Sequence, residues 1–98
     1  MAKYLVTWEL DVTKVPIGPK ERAAAWNPML DMIEQDMKRG LVKEWGSFTG
    51  EMKGCAVAEG TKIEIGNMLQ QFVPFVQFTL HELTSLSEMR EITKNLAK

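Results

Sequence analysis

Among 98 residues there is one cysteine, Cys55, and one histidine, His81. A lone thiol excludes an intrachain disulfide and a cysteine-rich metal cluster. It fits a reducing compartment, and packing as a small hydrophobe accounts for it without chemistry. With so few soft ligands, neither a structural metal site nor a cofactor is expected. Charge of one sign is not concentrated either: 12 Lys and Arg stand against 13 Asp and Glu, for a net charge of −1. The electrostatic footprint of a nucleic-acid binder is therefore missing, as is steering toward a membrane surface. No run approaches the roughly 20 apolar residues of a membrane span. Met1 to Tyr4 leads straight into an alternating segment containing Glu9 rather than into a signal-peptide core. A cytoplasmic protein is the expectation. Gly-rich phosphate loops, nucleophile elbows and basic aromatic platforms are lacking too, so no common motif assigns a reaction.

What is present is the composition of one folded unit. Apolar residues make up 45% and charged residues 26%, enough apolar surface to offset chain entropy in a single domain spanning 1–98. Lys3 to Asp11 alternates, with Tyr4, Val6, Trp8 and Leu10 on one face and Leu5, Thr7, Glu9 and Asp11 on the other, which predicts a strand. Asp11 to Gly18 reads as a loop, and Pro19 suits the first position of a helix. From Ala23 to Met37 the residues Trp26, Met29, Leu30, Ile33 and Met37 recur at helical spacing. Pro28 inside this stretch must kink the helix or restart it with Asn27 as a cap, and Gly40 is its natural stop.

Leu41 to Thr49 and Gly54 to Glu59 read as two strands joined by a hairpin turn at Gly50-Glu51-Met52-Lys53. Thr61-Lys62-Ile63-Glu64 fits a capping box, continued by Ile65, Met68, Leu69 and Phe72 as a second helix that Pro74 ends. Phe75 to Leu83 alternates as a fourth strand. A second capping box, Ser85-Leu86-Ser87-Glu88, opens a final helix with Met89, Ile92 and Leu96 as its apolar stripe.

This order predicts an α+β fold: a ferredoxin-like βαββαβ unit with a four-stranded antiparallel sheet, order 4-1-3-2, plus a C-terminal helix. Two helices would cover one face. The other face carries Leu5, Trp45 and Phe75 beside Thr7, Glu9, Gln77, Thr79 and His81, too apolar to be left in water, so pairing with a second copy across a two-fold axis is expected. Enclosed there, His81 and Glu9 are the candidate catalytic groups, an imidazole for proton transfer and a carboxylate for a general base. Because the first and fourth strands run in opposite directions, Glu9 should fall near Gln77 and His81 near Leu5, so the two do not form a dyad within one chain. Thr7, Trp45, Phe75, Gln77 and Thr79 are the candidate ligand-binding residues, the aromatic pair forming an apolar wall.

Four segments carry a resemblance to a known group. They are Tyr4-Leu5-Val6-Thr7-Trp8, Gly40-Leu41-Val42-Lys43-Glu44-Trp45-Gly46, Gly54-Cys55-Ala56-Val57-Ala58-Glu59-Gly60 and Phe72-Val73-Pro74-Phe75-Val76. In these the chain resembles small proteins of the dimeric α+β barrel superfamily and is similar to muconolactone isomerase-like domains. The resemblance implies a homodimer with an enclosed cleft, in a superfamily that includes isomerases, cofactor-free monooxygenases and haem proteins. No catalytic residue is carried over from it. The function expected is binding of an apolar or aromatic metabolite in the dimer cleft, with isomerase or cofactor-free monooxygenase chemistry. The competing expectation is a non-catalytic dimeric or oligomeric binding or regulatory module.

Overall fold

A computed structural model describes residues 2–98. The chain forms β1 (Ala2–Leu10), a single 3-10 turn at Val12–Lys14, α1 (Pro19–Lys38), β2 (Val42–Ser47), β3 (Lys53–Gly60), α2 (Lys62–Gln70), β4 (Val76–Glu82) and α3 (Leu86–Leu96). It is an α+β fold with one four-stranded sheet in the order β2-β3-β1-β4, every neighbouring pair antiparallel.

The alternation read in β1 decides which side of the sheet is covered. Val6 and Trp8 are buried under α1 and α2, while Glu9 is exposed on the other face. In β4 the same parity buries Val76 and half-buries Phe78, but Leu80, on the edge strand, remains 37% exposed although its ladder partner Val6 is buried. Two packed clusters result. One gathers Val6, Val42, Ala58, Ile65 and Met68; the other gathers Trp8, Phe72 and Val76 with Met29, Met32 and Ile33 of α1 against them.

Pro28 does not restart α1. The helix is continuous from Pro19 to Lys38, and both Pro28 and Ala24, whose carbonyl the proline leaves without its usual amide, are exposed, so water serves that carbonyl. Gly40 takes φ +79°, a left-handed conformation that suits glycine, and turns the chain from α1 into β2. Gly50, at φ +82°, does the same in the β2–β3 hairpin, where Phe48 N–H donates to the Lys53 carbonyl at 2.9 Å.

Both capping boxes form. In α2, Glu64 N–H donates to Thr61 Oγ1 at 3.1 Å and Thr61 N–H to Glu64 Oε1 at 2.9 Å; in α3, Ser85 and Glu88 make the same exchange at 3.1 and 2.8 Å. The two helices then differ in what they meet. α2 buries Ile65 and Met68 on the sheet, whereas α3 buries none of its residues, leaving Leu86 and Leu96 more than 70% exposed. The molecule is accordingly drawn out to 61 × 25 × 20 Å with a radius of gyration of 16.4 Å, against about 13 Å for a compact chain of this length.

Thr61→Ala should therefore lower Tm by about 4–8 °C, the effect of losing one helix cap in a domain this size. Ser85→Ala should reduce helical circular dichroism, since α3 has little packing in its own chain to hold it once the cap is gone. The hydrogen bonds from Thr61 hold the Glu64 carboxyl below its ordinary 4.5. The α2 cap thus contributes fully above that pH and is lost as pH falls through the lowered value. Because the Thr61 backbone N–H is the main cause, the Tm gap to follow is that between wild type and Glu64→Ala, which should narrow in acid and stay constant above pH 5.

Candidate functional site

On the helix-facing side of β3 every residue is small: Gly54, Ala56, Ala58 and Gly60, all buried. The strands on either side are large at the facing positions. Trp8 and Val6 of β1 pair with Gly54 and Ala56, while Trp45 and Val42 of β2 pair with Ala56 and Ala58. β1 and β2 are two strands apart, roughly 9–10 Å at the usual spacing. Their indoles nevertheless stack with centroids 5.3 Å apart and planes 5° from parallel. They meet because the low row between them leaves room for both rings. A Cβ on Gly54 would collide with the Trp8 indole and with the Gly46 carbonyl oxygen.

Above this floor the helices leave a cavity of about 380 Å³, a size typical of small-molecule sites, which run from about 300 to 1,000 Å³. α1 contributes Met29, Leu30 and Ile33 to its walls, and α2 and the turn after it contribute Met68, Leu69 and Phe72. Leu30, Glu51 and Met52 line it while being exposed, so its mouth lies between α1 and the β2–β3 hairpin. A sealed apolar void of this volume, at about 24 cal/mol per Å³, would cost on the order of 9 kcal/mol, comparable to the whole stability of a domain. An open cleft able to take in apolar matter avoids that cost.

Two polar groups interrupt the apolar lining. Trp8 Nε1 is buried and has no hydrogen-bond partner among the described residues. Asp36 of α1 lines the cavity with 2% of its surface exposed, and its Oδ1 accepts from Arg39 Nη2 at 2.6 Å.

The residues expected to form a site divide between the two sides of the sheet. Thr7, Glu9, Gln77 and Thr79 do come together on the open side, with Thr7 paired to Thr79 and Glu9 to Gln77 in the ladder, along a groove of about 200 Å³. Thr7 Oγ1 donates to the Thr79 carbonyl at 3.4 Å. His81 pairs with Leu5, four residues along the strand from the Gln77–Glu9 pair, so Glu9 and His81 stand apart as the antiparallel register requires. Phe75 precedes β4 in the turn and is 50% exposed.

Trp45 is the correction. It was expected on the open face with Phe75, but it lies on the helix side, stacked on Trp8 and lining the cavity. The reason is an irregularity in the β2–β3 ladder between Val42 and Glu44, where Val42 pairs with Ala58 and Glu44 with Val57. The extra residue reverses the parity of the strand, so that Val42 and Trp45, three apart, face the same way.

Asp36 was missed altogether, although its position carries a signal. It falls three and seven residues after Ile33 and Met29, on the apolar stripe of α1, whereas Met37, expected on that stripe, is 44% exposed. Among the described residues no group of three His, Cys, Asp or Glu side chains is placed to hold a metal ion, and no helix is long and apolar enough to cross a membrane. The fold and cavity together define a small α+β protein with an apolar cleft between helix and sheet. No family model matches the chain, and no curated protein matches it.

Gly54→Ala should displace the Trp8 indole and cost about 1–3 kcal/mol of stability, the usual range for overpacking, with loss of the paired-tryptophan signal in near-ultraviolet circular dichroism. Gly46→Ala, whose Cβ would meet nothing within 4 Å, should leave that signal intact. Equal effects from both substitutions would show that the floor of β3 does not position the indoles.

Proposed function

We propose that this protein binds an apolar or aromatic small molecule in the cleft between α1 and the sheet. The observation that carries this reading is the 380 Å³ apolar cavity built over a row of small residues and walled by the stacked indoles of Trp8 and Trp45. Aromatic walls give a ligand contact area with little loss of side-chain freedom, and cavities of this composition are the usual form of a small-molecule site.

A catalytic version of the reading, as an isomerase or cofactor-free monooxygenase, needs a base against the ligand. Glu9 and His81 project from the opposite side of the sheet from this cleft, so they serve only a ligand held between two open faces. Binding in the helix-side cleft is therefore favoured over chemistry at Glu9 or His81.

The proposal includes a homodimer of ferredoxin-like subunits, a dimeric α+β barrel closed by the open sheet faces. Two observations support it. Leu5, Val57 and Cys55 on the open face are only half-buried, and Leu86, Met89, Ile92 and Leu96 give α3 an apolar stripe with nothing in its own chain against it. A second copy offers cover for both surfaces at once, and a face of this kind normally marks an interface.

Naphthalene serves as a probe for the cleft. It should shift the indole N–H resonances of Trp8 and Trp45 in a saturable way, and Ala56→Leu, which raises the floor into the cavity, should abolish the shifts. Glu9→Gln and His81→Gln should leave them unchanged. An absence of saturable shifts in the wild-type protein, or full binding by Ala56→Leu, would overturn the binding reading. Sedimentation equilibrium at micromolar concentration should give about twice the chain mass of 11.1 kDa; a monomer under those conditions would overturn the dimer.

A further inference from the structure

Asp36 is the one buried charged side chain among the described residues, and three separate costs attach to its position. A carboxylate is removed from water into an apolar wall. It sits in the last turn of α1, where the negative end of the helix dipole disfavours an anion. It also takes a place on the stripe that Ile33 and Met29 use for packing.

The local structure does not require the carboxylate. The turn from α1 into β2 is made by the backbone, with Leu41 N–H donating to the Asp36 main-chain carbonyl at 3.0 Å, a bond any residue would accept. Arg39 leaves 57% of its side chain in solvent, so it does not depend on Asp36 to satisfy it. A buried ion pair of this kind adds little net stability compared with an apolar residue of the same volume. Residues that break several local rules at once without a structural return are characteristic of binding sites.

The chemistry of the pair limits what it can meet. Arg39 occupies Oδ1 and balances the charge, while no described residue donates to Oδ2. A second cation would leave an uncompensated positive charge in an apolar cleft. A carboxylate ligand would meet like charge. A neutral hydroxyl donates one hydrogen bond to Oδ2 and disturbs neither balance. Resting on the cleft as the binding site, we propose that Asp36 is its polar anchor, and that the ligand is a neutral aromatic or apolar molecule whose hydroxyl group donates to the Asp36 carboxylate.

Titrating naphthalene, 2-naphthol and 2-naphthoate into the full chain, with the Trp8 and Trp45 indole resonances as the readout, tests this. In the wild-type protein 2-naphthol should bind roughly tenfold tighter than naphthalene, the scale of one hydrogen bond to a charged group, and 2-naphthoate more weakly than either. Asp36→Leu should bring the preference for 2-naphthol over naphthalene to near unity. Asp36→Asn, which keeps the shape and an acceptor oxygen, should retain an intermediate preference. Equal wild-type affinities for naphthalene and 2-naphthol would overturn the anchor while leaving the cleft standing, as would a preference that survives Asp36→Leu. If none of the three probes binds, the cleft reading fails and the anchor with it. Should Asp36→Leu not fold, Asp36→Asn decides: a 2-naphthol preference equal to that of the wild type would overturn the anchor.

Discussion

The low row of Gly54, Ala56, Ala58 and Gly60 along β3 sets the arrangement of everything above it. In a sheet covered by helices both central strands ordinarily supply large core side chains, because they lie farthest from solvent. Here only β1 of the central pair does so, with Val6 and Trp8, and the edge strand β2 supplies Val42 and Trp45 on the other side of the low row. The indoles stack over the gap, α2 packs Ile65 and Met68 against the Ala56–Ala58 end of the row, and α1 stands against β2. One choice, glycine and alanine at alternate positions of a single strand, thus produces the aromatic stack, the cavity and its apolar character together.

Much of this was legible because the relevant signals are local. The alternation of β1, the two capping boxes and the position of Pro19 each express a preference of a few neighbouring residues, and no tertiary contact overrides them. The opposition of Glu9 to Gln77 and of His81 to Leu5 also followed, since antiparallel pairing of two regular strands leaves one register that keeps the apolar faces together. Trp45 was not legible in the same way. An extra residue in β2 changes which face each later side chain occupies, and whether it is absorbed in the strand or at its end depends on pairing with β3 rather than on the residues of β2 themselves. Asp36 was obscured because a charged residue is assigned by default to the solvent face, although its spacing from Met29 and Ile33 places it inward. The cavity had a signal in the small residues of β3, but one that acquires meaning only once the neighbours of that strand are known.

The two sides of the sheet are suited to different work. The helix side is apolar and open at one edge, with one buried carboxylate, Asp36, set in its wall. The other side carries a polar groove along Thr7, Glu9, Gln77 and Thr79 between half-buried apolar residues, a mixture better matched to another protein surface than to bulk water. α3 belongs with this second side in kind: it is well capped and strongly amphipathic, and its apolar stripe finds nothing in its own chain. A helix of 11 residues is marginal alone in water, so its stripe implies a surface to lie on.

The central claim is that the trough over β3 is a ligand cleft and not a gap that closes in solution. A crystal structure of the chain soaked with naphthalene tests it most directly. Density for the ring between α1 and the floor of β3, against the stacked indoles of Trp8 and Trp45, is the result expected. A trough filled instead by Met29, Ile33 and Met68, with α1 settled onto Ala56 and no room for the ring, would contradict it.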